Sequence, residues 1–237
     1  MRFFSMQLKD LNTGLAIITA GGKVYVAVSG SPAKQALVNK DGSALSNPIT
    51  PTRGKIEFYV ASDDTTTVDL YGMAPGGQSF QAIGITASGP NEIGIDCSRR
   101  HQVLVIPYSI ADTLAATETV TGFKTGIDKM WLPNPMAKTV TLDATETIDV
   151  GTDGAGSNDP DGFLAAASVA TAVLVKGTLL ASGATMGALF SVLDSANAGD
   201  DAPEGFINAA DEDITYTLSA GTDTARGYIY LPYLLAA

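Results

Sequence analysis

Along residues 55–60 apolar and polar positions alternate without a break. Ile56, Phe58 and Val60 fall on one face, and Lys55, Glu57 and Tyr59 on the other. A period of two puts successive side chains on opposite faces of a strand, so this run predicts a strand half-buried against a core. Comparable β-rich runs occupy 15–20, 23–28, 35–38, 67–72, 79–86 and 102–108. Turn-forming stretches separate them. Gly21-Gly22 predicts a hairpin between the first two runs, and Asn39 to Gly42 and the polar segment 62–66 predict further turns. Turns recurring every ~8–12 residues are the rhythm of an all-β chain.

The approach to the strand at Lys55 is distinctive. It passes through Asn47-Pro48 and Pro51, then Arg53-Gly54. Proline removes a backbone donor and pushes its predecessor toward an extended conformation. The segment therefore predicts a stiff extended connection or a sheet edge, with Gly54 supplying the bend.

Residues 109–126 are rich in Thr and Ala and carry no strong strand pattern. They predict a boundary: an N-terminal β module at 1–110, a linker at 111–126 and a C-terminal β-sandwich, of jelly-roll type, at 127–237. Asp112 is placed to cap a helical turn inside the linker. In the second half, 128–133 and 138–152 read as strands, and 151–162 as a long Gly/Asp loop. The run 163–175 suits helix or strand, and 186–193 is apolar throughout, so periodicity does not decide. Residues 213–219 and 226–235 predict a hairpin in which Tyr216 and Leu218 lie opposite Tyr228, Tyr230 and Tyr233.

Composition supports this reading. Of 237 residues, 45% are apolar and only 16% charged, enough to build a core, and Gly is abundant at 25. A single cysteine, Cys97, excludes an intrachain disulfide. The first residues lack the apolar stretch of a signal peptide, and no run is long enough to span a bilayer, so the expectation is a soluble protein made in the cytoplasm, with no membrane partner. The net charge of −11 is unevenly placed: nine Lys/Arg against eight Asp/Glu through Ile110, then five against seventeen. Phosphate contacts need Lys and Arg, so the second half is not a nucleic-acid binder.

Candidate chemistry is sparse. The one histidine, His101, sits in Ser98-Arg99-Arg100-His101 with no serine and carboxylate at recognisable positions for a nucleophilic triad. One Cys and one His do not make a Cys/His zinc site. The best candidate is the carboxylate group Asp149, Asp153, Asp159 and Asp161 around the Gly/Asp loop, a candidate Ca²⁺ site, although its spacing differs from that of an EF-hand. No catalytic residue and no other cofactor is expected, and the chain reads as a non-enzyme.

The segment 41–80, "DGSALSNPITPTRGKIEFYVASDDTTTVDLYGMAPGGQSF", resembles strand-forming units of tailed-phage fibre, neck and head-surface proteins. Residues 161–233 are similar to C-terminal domains of structural proteins that tailed phages encode near the major capsid protein. The resemblance implies a virion structural protein of capsid-decoration (cement) or head-fibre type. It would be β-rich, homotrimeric and bound to the major capsid protein on the virion surface. It transfers no catalytic residue. With it comes the expectation that the near-neutral half attaches and the acidic half faces outward. Two alternatives remain: a tail, baseplate or fibre subunit, and a carbohydrate-binding jelly roll using the tyrosines of the last hairpin, for which a host-surface glycan is the candidate ligand.

Overall fold

A computed structural model of the chain describes residues 1–19, 21–87, 91–108, 118–141, 146–153, 159–170, 174–177, 188–190, 205–207, 211–219 and 225–235. The protein is all-β and divides into two compact units, Met1–Pro107 and Tyr108–Ala237. Among the described residues no helix is long and apolar enough to cross a membrane.

The strands of unit 1 are β1 (Arg2–Asp10), β2 (Lys23–Val28), β3 (Leu37–Val38), β4 (Ala44–Leu45), β5 (Lys55–Val60), β6 (Thr67–Met73), β7 (Ser79–Thr86) and β8 (Asn91–Ile95), with β9 (His101–Tyr108) running to the boundary. One sheet has the order β4-β3-β5-β1-β8 and the other the order β2-β6-β7. Each contributes its apolar face to a shared core. Phe4, Met6 and Leu8 of β1 and Ile56, Phe58 and Val60 of β5 meet Val24, Val26, Val68, Leu70 and Phe80. Burying a side chain such as Phe58 contributes roughly 1.5–3 kcal/mol.

The alternating run at 55–60 is β5, as its pattern requires, and 67–72 and 79–86 also become strands. The Gly21-Gly22 hairpin does not form. Residues 15–19 fold back along β1 instead, with Ile17 N donating to Leu8 O at 2.9 Å. β2 pairs with β6. The reason is local: the Asp10 carboxylate organises a turn at 11–14, accepting from Asn12 N (3.0 Å) and Thr13 Oγ1 (2.9 Å), before the glycines are reached. β1 itself, not singled out by the pattern of the whole chain, lies between β5 and β8.

The proline segment is held against β2. Ile49 and Val24 exchange two 2.8 Å backbone bonds. The Asn47 side chain acts as a substitute peptide group: Oδ1 accepts from Val26 N at 3.0 Å, and Nδ2 donates to Val26 O at 2.7 Å and Gln35 O at 2.9 Å. The peptide bond Asn47-Pro48 is cis. The bend before β5 uses positive φ at Arg53 (51°) and Gly54 (69°). A Cβ on Gly54 would fall 1.8 Å from Ile17 O, so only glycine fits.

Unit 2 contains β10 (Thr119–Lys124), β11 (Lys129–Trp131), β12 (Met136–Thr141), β13 (Thr147–Asp153), β14 (Asp159–Ser168), β15 (Leu174–Lys176), β16 (Phe206–Ile207), β17 (Asp213–Leu218) and β18 (Arg226–Leu235), with a 3₁₀ turn at Ala188–Phe190. Its sheets run β10-β17-β13-β14 and β15-β12-β18-β11-β16. They face each other as a β-sandwich through an aromatic core. Trp131 of β11 meets Phe163 of β14 edge-on at 5.3 Å, and Phe163 continues to Phe190 at 5.8 Å and Phe206 at 5.4 Å. The buried Trp131 donates Nε1–H to Thr125 O at 3.2 Å.

Two expectations differ here. Part of the stretch read as linker is strand, because Val120 and Thr119 pair with Thr215 and Tyr216. Asp112 and its helical turn lie outside the described residues. The hairpin of the last two strands is also corrected: β17 and β18 belong to different sheets. Tyr216 and Tyr233 are buried in the core between those sheets, a demand that their alternating patterns alone did not distinguish from cross-strand pairing.

Candidate functional site

The four candidate aspartates, Asp149, Asp153, Asp159 and Asp161, are distributed over two neighbouring strands of unit 2. β13 and β14 extend into the Gly/Asp run, so all four lie on strands and none in the part of the run between them. Close approach of the two strands occurs at Gly151, where a Cβ would fall 1.9 Å from Asp159 O. Asp149 is occupied structurally: its Oδ1 accepts from Ala166 N at 2.5 Å, where the β13–β14 register shifts. Asp153 pairs across from Asp213 and is exposed. Only Asp159 and Asp161 come together, and partial burial first, then the hydrogen bond and charge of Asp161, push the Asp159 carboxyl up to about 6. Among the described residues no three of His, Cys, Asp and Glu gather so as to hold a metal ion.

Neither His101 nor Cys97 builds a catalytic arrangement. His101 is exposed beside a recess of about 280 Å³ that Arg99 and Gln81 also line. It makes no hydrogen bond or ion pair among the described residues. Gln102 next to it is committed to structure, accepting from Ser79 N at 3.2 Å and Ser79 Oγ at 3.1 Å and donating to Arg99 O at 2.6 Å. Cys97 packs against the core of unit 1, and burial followed by the nearby Asp10 carboxylate pushes its thiol up, which disfavours the thiolate.

The most pronounced surface feature of unit 1 is the loop after β1. Leu11, Leu15 and Ile18 are 65%, 69% and 70% exposed. Such exposure is common for one apolar residue and informative for three on one short loop. The loop is ordered by its base. Asp10 N donates to Leu15 O (2.9 Å), Gly14 N to Asp10 O (2.8 Å) and Leu11 N to Ile95 O (2.9 Å). Asn12 Nδ2 reaches Asp96 Oδ1 at 3.1 Å, and Ser98 caps the same carboxylate through N (3.1 Å) and Oγ (2.7 Å). These donors, led by Asn12 N and Thr13 on Asp10 and by Ser98 on Asp96, lower both carboxyls below the usual range. The loop thus presents apolar side chains on a preformed backbone, and joining a partner would cost little further ordering. Hydrophobic patterning read Leu15 and Ile18 as part of a strand over 15–20, which does not form; the signal against it was Asp10, Asn12, Thr13 and Gly14, a polar turn set inside an apolar stretch.

The tyrosines expected to bind sugar are not available as a row. Tyr216 and Tyr233 are core residues, and only Tyr228 and Tyr230 are half-exposed, with ring centroids 6.5 Å apart.

Comparison with known protein families, characterised proteins and solved structures found no match to this chain.

Proposed function

We propose that the chain is a non-enzymatic structural protein of a tailed-phage virion, decorating or stabilising the capsid surface as a homotrimer. Unit 1 docks on the major capsid protein, and the acidic unit 2 is displayed. The resemblance over 41–80 and 161–233 supplies the class. The observation that carries the docking role is the ordered apolar loop of Leu11, Leu15 and Ile18 on a unit with nearly balanced charge. Full burial of each such side chain would contribute roughly 1.5–3 kcal/mol, and a near-neutral surface is desolvated at lower cost than an acidic one. Trimer formation would also cover sheet edges such as β4 and β10, which lie at the ends of their sheets.

The test is gel quantification of this chain in purified heads and purified tails of the phage that encodes it. Stoichiometric presence in heads, in a multiple of three per capsid position, is the expected result. Presence only in tails replaces the reading with that of a tail or fibre subunit, and absence from virions refutes both. Light scattering of the purified chain tests the trimer, which a monomer at high micromolar concentration would contradict.

A further inference from the structure

The far end of β1 carries a different surface. β1 and β5 pair with the register Gln7↔Lys55, Ser5↔Glu57, Phe3↔Tyr59. On the outward face, polar pairs therefore give way to an aromatic pair at the start of β1. Tyr59 is also opposite Val38 of β3. Val38, Tyr59 and Phe3 consequently form one row across three adjacent strands. The Phe3 and Tyr59 rings are 4.9 Å apart and inclined at 36°, and Phe3 remains 41% exposed. This row floors a shallow recess of about 210 Å³, whose sides include Asn39, Lys40, Leu45 and Glu57.

The recess has an amphiphilic lining. Its floor is aromatic and aliphatic. Its rim supplies a cationic donor in Lys40, which has no ion pair among the described residues, and acceptors in Glu57 and Asn39. Glu57 Oε1 is held by Lys55 Nζ at 2.7 Å and by Ser5 Oγ at 3.4 Å, which fixes the carboxylate at the rim. Asn39 is fixed by Nδ2 donation to Ser43 Oγ at 2.9 Å, leaving its carbonyl oxygen directed elsewhere. At about 210 Å³ the space lies below the ~300–1,000 Å³ of sites for drug-sized ligands, which suits a single ring better than a length of chain. Glu57 is already paired with Lys55, which leaves Lys40 as a single exposed charge with no second cation beside it, so an anion would gain little there.

A pyranose matches these features together. Its C–H face stacks on aromatic rings, while its equatorial hydroxyls donate and accept at the rim. A cross-strand aromatic pair alone would stabilise the sheet without a recess or a mixed rim. We propose that this face of unit 1 binds one neutral pyranose residue of a glycan, stacked on Phe3 and Tyr59 and hydrogen-bonded by Lys40, Glu57 and Asn39. The site is pre-organised: Arg2 donates to the Asp63 carbonyl, tying down the start of β1 beside Phe3. It lies seven residues along β1 from Asp10, roughly 23 Å at ~3.3 Å per residue, so it is separate from the apolar loop. The proposal does not depend on the virion reading.

The test titrates isotope-labelled full-length protein with the methyl glycosides of glucose, galactose, mannose and N-acetylglucosamine, following backbone amide signals. At least one glycoside should give saturable shifts at Phe3, Asn39, Lys40, Glu57 and Tyr59. Phe3→Ala and Lys40→Ala should each weaken that binding roughly tenfold, the scale of one lost ring contact or charged hydrogen bond. Ile83→Ser, on the exposed surface of β7, should leave it unchanged. Lys40 sits in an exposed turn, so its variant keeps the test decisive if Phe3→Ala unfolds. No saturable shift at these residues with any of the four sugars, or undiminished affinity in the Lys40 variant, overturns the proposal. Tighter binding of methyl glucuronide than of every neutral glycoside overturns its neutral-sugar part.

Discussion

Asp69 in unit 1 and Asp159 in unit 2 are both carboxylates set on strands, and their surroundings are opposite. Asp69 is buried, and donors surround it: Gly30 N at 2.7 Å, Gly84 N at 2.8 Å and Ser29 Oγ at 3.3 Å. It ties the turn after β2 to the irregularity of β7. Asp159 is half-buried and meets another carboxylate, Asp161. Unit 1 uses buried polar side chains to complete backbone hydrogen bonding where its strands are irregular, and Asn47 does the same beside β2. Unit 2 does the same with Asp149, but at the start of β14 it also sets two carboxylates together, and the cost appears as the shifted titration of Asp159. The donor-satisfied Asp69 should therefore be stability-critical in unit 1, whereas the Asp159–Asp161 pair should make unit 2 tunable by pH.

The largest effect should come from Gly54→Ala. The substitution would put a side chain at φ 69° and a Cβ against Ile17 O. Left-handed strain and overpacking together should destabilise unit 1 by about 3 kcal/mol or more. Urea unfolding measures it, and a change of less than about 1 kcal/mol would show that the fold-back of 15–19 on β1 is loosely held. Next is Asp69→Ala, which leaves the amides of Gly30 and Gly84 without their acceptor. Its cost should be about 2–3 kcal/mol. If Asp69→Ala proves neutral, the contrast between the two carboxylates fails on the unit 1 side.

The unit 2 side is tested by pH. The Asp159 carboxyl rises from 3.8 to about 6 on folding, because burial and then Asp161 disfavour its charged form. The folded protein therefore holds a proton that the unfolded chain releases between these values. This contribution makes unit 2 more stable below about pH 4 than above pH 6, and stability declines as pH rises through that window. Because Asp159 is only partly buried and solvent screens it, the effect should be about 1 kcal/mol. Asp159→Asn should flatten the slope in melting curves taken from pH 4 to 7. A slope of opposite sign, or one unchanged in the variant, would remove Asp159 as its source.

The two regions also differ in what the residue pattern could reveal. β5 was readable because one buried face imposes a period of two, whereas β6, buried on both faces, and β7 were readable as β-rich runs between turns. β1 has the same Phe4-Met6-Leu8 period, but outward-facing Phe3 blurs the contrast between faces, and that ring belongs to the surface recess. The false Gly21-Gly22 hairpin arose because side-chain bonds to Asp10 redirect the chain, and such bonds leave no mark on hydrophobicity. The Asp149, Asp153, Asp159 and Asp161 group was visible as chemistry, yet its geometry depended on how far β13 and β14 extended. The recess depends on the row Val38, Tyr59, Phe3, which only cross-strand register brings together.

The smallest effect on stability should come from the loop of unit 1, and this sharpens the contrast most. Leu15 and Ile18 project from a backbone fixed by Asp10, Asn12 and Asp96, and they contribute little to the core. Leu15→Ser together with Ile18→Ser should therefore leave the urea midpoint within about 0.5 kcal/mol of the parent. Docking should respond differently. If these side chains enter an apolar pocket on the capsid protein, removing both forfeits roughly 3–6 kcal/mol of burial, enough to abolish co-sedimentation with heads. Ile17, which packs against the core instead, is the control: Ile17→Ala should lower stability with little direct effect on docking. Loss of stability in the double variant would make the loop part of the fold. Unchanged stability with unchanged docking would move the attachment surface elsewhere on the protein.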